Sequence, residues 1–214
     1  MFFLAVILAL ALFLPVQSIH YWQAWVYLIN FFVCTGAITV YLAKNDTALL
    51  ARRINAGPGN EKQKTQKIIQ SLAQFAFLAI FLVSAFDHRF GWSHVPVYGV
   101  IAGNILVITG FYFVFRVFKE NTFTRGNIDV EKEQTVISTG PYAVVRHPMY
   151  SGAFILLIGT PMACGSWYGL PTVIPIIAVI IWRLLDEEKF LAKNLPAYTN
   201  YCSKIRFRLV PGIF

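Results

Sequence analysis

The sequence predicts an all-α fold, a polytopic membrane helix bundle of about six transmembrane helices that includes a C-terminal helical hairpin. The first observation is composition, because 57% of the 214 residues are apolar, 16% are aromatic and 13% are charged. A soluble domain of this length needs fewer apolar residues to fill its core. The second observation is a series of long apolar stretches, and the third is the concentration of Lys and Arg between them.

The apolar stretches account for the helix count. A span needs about 20 mainly apolar residues to cross a hydrocarbon layer about 30 Å thick. The stretches are residues 2–16, 21–43, 68–86, 95–118 and 149–183. The last one is too long for a single crossing and contains Gly165, Gly169 and Pro171, which favour a tight turn. It therefore predicts two helices joined as a hairpin.

The first stretch, residues 2–16, could instead be a secretory signal. It has no basic residue at its start, and residues 17–19 make a poor small-residue cleavage site. We therefore expect a retained helix. Its length is short for a span, which suits a tilted or partly interfacial helix assisted by Tyr21, Trp22 and Trp25 at the membrane boundary.

Basic residues predict the orientation, because loops rich in Lys and Arg resist translocation. They concentrate in residues 44–67, 119–148 and 189–208. If these three intervals are cytoplasmic, six crossings place both termini inside and leave Arg89 on the far side. The formal net charge of +8 then has anionic lipid headgroups and the membrane potential as its counterparts, so we expect no nucleic-acid partner.

Metal binding and transport have little support in the sequence. The three cysteines lack the close spacing of a zinc or redox motif. His20, His88 and His94 fall on the predicted outer side, where interfacial hydrogen bonding is the simpler reading, and we expect no metal. The mid-membrane polar residues are isolated, which favours interhelical hydrogen bonds over an ion path. These are Asn30, Gln74 and Asn104.

Small residues recur on the fourth predicted helix. Gly99 and Gly103 form a small-xxx-small pair, and Gly110 follows two turns later. Small residues let helix backbones approach closely. The pattern predicts close packing inside one bundle and leaves the oligomeric state open.

The chain divides into N-terminal helices over residues 1–118 and a C-terminal part over residues 119–214, which holds two candidate site clusters. The first is Arg146 and His147, just before Pro148, which suits the first turn of a helix. Free amides at that helix start attract an anionic group, such as the carboxylate of a bound small molecule. Alternatively, Arg146 is an ordinary positive-inside anchor and His147 a capping residue.

The second cluster lies at the inner end of the last apolar helix. Arg183 and Glu187 are one turn apart, in the less favourable order for an exposed pair. Glu187 and Glu188 also oppose the helix dipole near a C-terminus. Local helix stability explains this cluster poorly, so it indicates a site that needs negative charge, with a solvated helix end as the alternative.

Taken together, these segments resemble the isoprenylcysteine carboxyl methyltransferase group and its phospholipid methyltransferase relatives. The similarity covers about residues 120–214 and is specific as a set. The matching segments are Gly140-Pro141-Tyr142, Arg146-His147-Pro148-Met149-Tyr150-Ser151-Gly152, Glu187-Glu188, Tyr198, Tyr201 and residues 206–214. The Arg-His-Pro-x-Tyr element also occurs in membrane sterol reductases, so it does not by itself separate methyl transfer from hydride transfer.

The resemblance implies a membrane methyltransferase that uses S-adenosylmethionine. The cofactor pocket is expected at the cytoplasmic face, where cofactor arrives from the cytosol and a lipophilic or prenylated acceptor arrives from the membrane. The implied cofactor-binding residues, with Arg146 added from its place at the helix start, are Gln134, Thr135, Val136, Ile137, Tyr142, Arg146, His147, Pro148, Tyr150 and Glu187. The implied catalytic residues are Arg183, Glu187 and Glu188.

Three questions stay open at this level. The acceptor can be an isoprenylcysteine-like carboxylate, which leads, or a phospholipid amine, a thiol or a hydroxyl compound. Which of Glu187 and Glu188 matches the acid of the family is uncertain by one residue. The alternatives to a methyltransferase are a membrane reductase using NADPH, although no glycine-rich dinucleotide fingerprint is present, and a non-enzymatic transporter or scaffold.

The distribution of basic residues gives a testable topology. We expect both termini and residues 44–67 and 119–148 to be cytoplasmic and residues 87–94 to lie outside. Single cysteines at positions 60 and 90, in a chain whose native cysteines are replaced by serine, should be labelled by an impermeant reagent from opposite sides. Labelling of both positions from one side would contradict this topology.

Overall fold

Eight α-helices make up the described part of the chain, and these residues contain no strand. The computed structural model describes residues 2–57, 59, 61, 63–124 and 135–214. The helices are α1 (Phe2–Val16), α2 (Trp22–Asn45), α3 (Thr47–Ile54), α4 (Lys64–Phe90), α5 (Val97–Glu120), α6 (Pro148–Ala163), α7 (Val173–Asn194) and α8 (Ala197–Lys204). A short 3-10 helix, Gly140–Ala143, precedes α6. The predicted all-α class is confirmed.

Each apolar stretch predicted from the sequence forms a helix. Three helices, α2, α4 and α5, are long and apolar enough to cross a membrane. Helices α1 and α6 are apolar but shorter, with 15 and 16 residues, and α7 has 22 residues with a polar second half. The chain is therefore a membrane protein, and the six crossings stay a prediction.

The predicted hairpin is the pair α6 and α7. Helix α6 begins at Pro148, whose missing amide hydrogen costs nothing in the first helical turn. The connecting turn contains Gly165 with φ of +76°, a backbone conformation that glycine adopts without strain. Because α7 returns antiparallel to α6, the start of α6 and the end of α7 lie at the same end of the bundle.

The largest buried cluster joins α1, α2, α4 and α5. Its larger members are Leu8, Leu12, Tyr21, Tyr27, Phe31, Phe81, Val107 and Phe111. Lipid tails are as apolar as these side chains, so burial from water contributes less to helix association here than close packing does. Ring contacts such as that of Phe31 with Phe111, 5.2 Å between centroids, supply part of that packing.

Helices α5 and α6 make the closest backbone approach, and glycines allow it. A Cβ added to Gly103 of α5 would lie 2.3 Å from the amide nitrogen of Ala163, and one added to Gly110 would lie 2.7 Å from the carbonyl oxygen of Gly152. Gly159 of α6 is equally crowded by α5. The predicted close packing inside one bundle is confirmed for Gly103 and Gly110. This contact crosses the predicted boundary at residue 118, and the two-part division stays a prediction.

Polar side chains also join helices. The Asn30 side-chain amide donates to the Asn104 side-chain oxygen at 3.0 Å, which confirms the predicted interhelical bond between α2 and α5. At the end of the bundle away from α8, the buried Asp87 carboxylate accepts from the Ser93 amide at 2.7 Å and the Ser166 hydroxyl at 2.5 Å. Asp87 thereby ties the α4–α5 turn to the α6–α7 turn.

The glycine contact predicts a large effect of one methyl group. Gly103→Ala forces α5 away from α6, because the nearest atoms are backbone, and overpacking of this kind costs about 1–3 kcal/mol. We expect a clear fall in the midpoint of thermal unfolding in detergent. Gly59→Ala is the matched control, since no described residue lies within 4 Å of a Cβ placed there. Equal midpoints for the two variants would contradict the close contact.

Candidate active site

A polar cluster occupies the end of the bundle where α6 begins and α7 ends. The 3-10 helix, α8 and the C-terminal tail, residues 205–214, meet there as well. Both predicted clusters, the one around Arg146 and the one around Glu187, lie in this region. Segments distant in sequence are therefore brought together by the antiparallel hairpin.

Glu188 of α7 is the centre of this cluster. Its carboxylate accepts from Arg146 Nη1 at 3.1 Å and from Arg208 Nε at 2.9 Å. The Nε2 atom of His147 lies 3.4 Å from Glu188 Oε1, within ion-pair distance. The Glu188 side chain is 13% exposed. One carboxylate thus connects α7, the residues before α6 and the C-terminal tail.

The environment of Glu188 stabilises its charge. Glu188 lies in the polar end of α7, beyond the apolar residues 173–182. Partial burial opposes ionisation, but the contact with His147 and the hydrogen bonds from Arg208 and Arg146 outweigh it and lower the pKa of Glu188 to about 2. Glu188 is therefore negatively charged at any physiological pH.

Arg146 bonds α8 and the C-terminal tail in addition to Glu188. Its Nε donates to the carbonyl oxygen of Ile205 at 2.7 Å, and its Nη2 donates to that of Cys202 at 3.0 Å. The Arg146 amide donates to Phe207 O at 2.9 Å. All three guanidinium nitrogens are thus bonded within the protein, which gives Arg146 a structural role that the sequence did not suggest. Its part in cofactor binding stays a prediction.

Arg183 and Glu187 are bridged by Tyr150 of α6. The Tyr150 hydroxyl donates to Glu187 Oε2 at 2.7 Å and accepts from Arg183 Nε at 3.0 Å. The Arg, Tyr and Glu side chains therefore form one hydrogen-bonded chain across the hairpin. The pair that local helix stability explained poorly is joined through a partner on the neighbouring helix.

Among the described residues, two buried polar atoms of the cluster make no hydrogen bond, His147 Nε2 and the hydroxyl of Tyr198. His147 Nε2 has only its 3.4 Å ion-pair contact with Glu188. The His147 ring lies stacked beside Tyr150, 5.7 Å between centroids and 25° between planes. Buried polar groups normally find partners, so these atoms are available to a bound molecule.

Tyr142 joins the 3-10 helix to α5 and α8. Its hydroxyl accepts from the Asn121 side-chain amide at 3.1 Å, and its carbonyl oxygen accepts from the Tyr201 hydroxyl at 2.8 Å. Burial raises the pKa of Tyr142, so its hydroxyl stays protonated. Gly140 begins this turn with φ of +56°, and a Cβ there would lie 2.6 Å from the Glu120 carboxylate.

The other predicted cofactor residues lie on either side of this turn, four before it and Pro148 after it. Thr135 is exposed, Val136 and Ile137 are partly buried, and all three lie in a segment without regular secondary structure. Gln134 lies outside the described residues. Pro148 is buried at the start of α6. The roles of these residues stay predictions.

The structure adds acidic and amide side chains from the N-terminal half that sequence reasoning missed. Gln66 of α4 donates to the Asp186 carboxylate, and Gln70 donates to Glu61 Oε2 at 2.9 Å. Glu61 is 3% exposed. A cavity of about 240 Å³ lies between α4 and α7, lined in part by Gln70, Gln74 and Arg183. The recurrence of Gln at positions 66, 70 and 74 is a helical stripe that could have indicated this polar face.

The described residues contain no group of three or more His, Cys, Asp or Glu side chains placed to hold a metal ion. The site is thus a cluster of bonded charges and tyrosines at one end of a membrane helix bundle. Its candidate chemistry is recognition of a charged small molecule beside an apolar phase.

Comparison with known proteins agrees with a polar site of this kind in a membrane helix bundle. Residues 98–197 match the family model described as phospholipid methyltransferase. This region runs from the start of α5 to the start of α8 and contains Arg146, Tyr150 and Glu187. The predicted resemblance to this group of membrane methyltransferases is confirmed over that region.

Two curated relatives are similar to parts of the chain. A protein-S-isoprenylcysteine O-methyltransferase from Schizosaccharomyces pombe is 30% identical over 80 residues, which are 35% of this chain and 32% of that protein. The Delta(14)-sterol reductase TM7SF2 from Mus musculus is 26% identical over 118 residues, 48% of this chain and 28% of that protein. The chain therefore covers about a third or less of each of these relatives.

The bonds of Glu188 predict a pH-dependent tail. Glu188→Gln removes the charge that Arg146 and Arg208 share, so we expect faster amide hydrogen exchange in residues 205–214. In the unchanged chain this protection should be complete above the ordinary glutamate pKa of about 4.3 and be lost as the pH falls towards 2, because the folded-state pKa is the lower one. The variant should show no such step.

Asp186→Asn is the control for Glu188→Gln. Asp186 is the neighbouring carboxylate but bonds Gln66 of α4. Equal protection of the tail in both variants, or the same acid transition in all three proteins, would show that Glu188 does not hold the tail.

Proposed function

We propose that the chain is an S-adenosylmethionine-dependent methyltransferase that acts on a lipophilic, membrane-delivered acceptor, with an isoprenylcysteine-like carboxylate as the leading class. The observation that carries the proposal is the Arg183–Tyr150–Glu187 chain beside His147. It lies inside the region similar to phospholipid methyltransferases. The similarity to an isoprenylcysteine O-methyltransferase supports the choice of acceptor class.

The residues present fit the proposed cofactor. When bound, S-adenosylmethionine supplies an electrophilic methyl group on a positively charged sulfur. Carboxylates and aromatic faces favour such a cation, and Glu187 and Tyr150 offer both. The Tyr198 hydroxyl, and His147 Nε2 in exchange for its long contact with Glu188, offer polar contacts at a buried position. We assign the predicted binding residues around Tyr142, His147 and Tyr150 to this ligand.

The hydrogen-bond partners of Glu187 and Glu188 support different roles for these two residues. Glu188 is held by Arg146 and Arg208 and joins the tail to the bundle. Glu187 bonds the Tyr150 hydroxyl, which is itself bonded to Arg183. We therefore assign Glu187 to the reacting groups and Glu188 to positioning of the site walls.

The three hydrogen-bonded side chains, Arg183, Tyr150 and Glu187, then have distinct tasks. Tyr150 fixes the side chains of Arg183 and Glu187, so that neither needs to reorganise when a ligand binds. Arg183 offers a planar fork that suits an acceptor carboxylate. Glu187 suits a cationic donor or, for an acceptor that loses a proton, the removal of that proton. Tyr150, Arg183 and Glu187 are partly buried, which limits the access of water, and methyl transfer needs mainly alignment of donor and acceptor.

The location of the pocket suits two ligands of different polarity. We propose that it faces the cytoplasm, because the surrounding segments carry most of the basic residues. A cofactor then arrives from water, whereas a lipophilic acceptor arrives from the membrane between the helices. The boundary of the bilayer is the place that both can reach.

A membrane reductase is the alternative that one observation favours, namely the similarity to a Delta(14)-sterol reductase. The two proposals differ in their cofactor. Isothermal titration of the detergent-solubilised chain with S-adenosylmethionine and, separately, with NADPH distinguishes them. We expect binding of S-adenosylmethionine, and binding of NADPH alone would replace the methyltransferase proposal by the reductase.

The same titration tests the binding residues. His147→Ala and Tyr150→Phe should each raise the Kd for S-adenosylmethionine by about tenfold, as expected for loss of one hydrogen-bonding group in a buried site, while the fold persists. Tyr98→Phe is the matched control, because Tyr98 is 77% exposed at the other end of the bundle. An unchanged Kd in a folded variant would remove that residue from the site.

Charge and shape at Arg183 and Glu187 can be tested by turnover with an S-prenylated cysteine as acceptor. Arg183→Lys replaces a planar fork by a point charge and should lower kcat by about a hundredfold, the usual range for one positioned charged group. Glu187→Gln should raise the Kd for S-adenosylmethionine in step with its loss of rate, since a carboxylate acceptor needs no base.

Arg89→Lys is the control for these charge variants, because Arg89 bonds the carbonyl oxygen of Pro15 at the far end of the bundle. Near-normal methyl transfer by both site variants would mean that Arg183 and Glu187 belong to a solvated helix end. Repeating the assay with an ethanolamine phospholipid separates the carboxylate acceptor class from the amine class.

A further inference from the structure

An apolar groove lies on the outer side of α5 and α6, apart from the polar cluster. Its volume is about 750 Å³. Helix α5 contributes Tyr112 and Phe113, α6 contributes Phe154 and Ile158, and Val144 lies near its polar end. Val144 and Ile158 are 54% and 41% exposed, so the groove opens to the surroundings of the bundle.

The C-terminal tail closes one side of the groove. Leu209, Val210 and Pro211 line it, and the Leu209 carbonyl oxygen accepts from the Ser151 hydroxyl at 2.6 Å. This bond and that of the His147 amide with Arg208 O, 2.9 Å, hold the tail backbone against the start of α6. The tail therefore contacts the groove through these three residues and Glu188 through Arg208, and Tyr150 is not among the residues that line the groove.

Among the described residues that line the groove, one is charged, namely Arg116, at the end nearer the start of α6. Arg116 Nη1 donates to the Tyr112 hydroxyl at 3.3 Å, which keeps the guanidinium beside the groove. From Pro148 to Ile158 the groove follows α6 for about 15 Å, at 1.5 Å per residue. A cation at one end and an apolar channel of this length match a charged headgroup and one hydrocarbon chain.

We propose that this groove binds a membrane phospholipid, with its phosphate at Arg116 and one acyl chain along α5 and α6. The lipid contacts Val210 and Pro211 and so supports the tail from its outer side. Arg208 of the same tail bonds Glu188, and the lipid thereby stabilises the wall of the candidate active site without entering it. Because Tyr150, Arg183 and Glu187 are not among the residues that line the groove, the occupant is a structural lipid rather than the methyl acceptor.

Photolabelling of the full chain tests the groove. The probe is a phosphatidylcholine with a diazirine in one acyl chain, reconstituted with the protein in phosphatidylcholine nanodiscs. We expect adducts within residues 148–158. Arg116→Gln should lower their yield by about fivefold, from the attraction of one basic side chain to a charged headgroup. Val144→Trp should also lower labelling, because the larger side chain narrows the groove at its polar end.

Each variant has a matched control. Lys119→Gln removes a charge one turn further along α5, and Ile105→Trp enlarges an exposed α5 side chain, 57% exposed, and neither residue lines the groove. Both controls should label like the unchanged chain. Labelling that is equal in all variants would overturn the site.

A competition arm identifies the occupant. Unlabelled S-prenylated cysteine should leave the adducts at residues 148–158 unchanged, whereas competitive loss of labelling would make the groove an acceptor site and overturn the proposal. Hydrogen exchange gives a second readout, because bound lipid should slow exchange in residues 205–214 of the unchanged chain more than in Arg116→Gln. Both measurements are made without methyl transfer, so they are independent of the proposed activity.

Discussion

The C-terminal part of the structure depends on one carboxylate, Glu188, shared among basic side chains. Partial burial disfavours a charged carboxylate. Arg146 and Arg208 offset this cost, one from the residues before α6 and the other from the C-terminal tail. Removing the carboxylate would leave Arg146 with a buried charge and fewer partners. The tail, the start of α6 and the end of α7 therefore form as one unit or not at all.

That unit can form because the helices behind it approach closely. Gly103 and Gly110 of α5 lie against the backbone of α6, so the start of α6 is placed by contacts that tolerate no extra methyl group. In a bilayer, where apolar burial contributes little to helix association, such backbone proximity sets distances that bulky side chains leave variable. Tyr150, two residues into α6, is thereby placed within 3.0 Å of Arg183 Nε. The position of the polar cluster follows from the glycine packing as much as from its own charges.

The sequence predicted the parts that repeat a simple physical rule. The lengths of the apolar stretches predicted the positions of the six apolar helices, and Gly165 with Pro171 predicted the hairpin turn. The motif around Tyr150 and the acidic residues of α7 located the polar cluster. The helices α3 and α8 escaped prediction because both are short and polar. Glu61 and Gln70 escaped it because their meaning depends on a contact between α4 and α7, which no local pattern encodes.

The partners of the two adjacent glutamates show why position along a helix can separate two roles. Consecutive helical residues point about 100° apart, so Glu187 faces α6 and Glu188 faces the tail. Glu188 meets guanidinium groups and is held as a fixed anion, whereas Glu187 meets a tyrosine hydroxyl that also bonds Arg183. The Tyr150 hydroxyl contacts both Glu187 and Arg183 and so joins these two charged side chains across the hairpin. Two adjacent glutamates of one helix thus belong to two different hydrogen-bonded groups, one that holds the tail and one that joins α6 to α7.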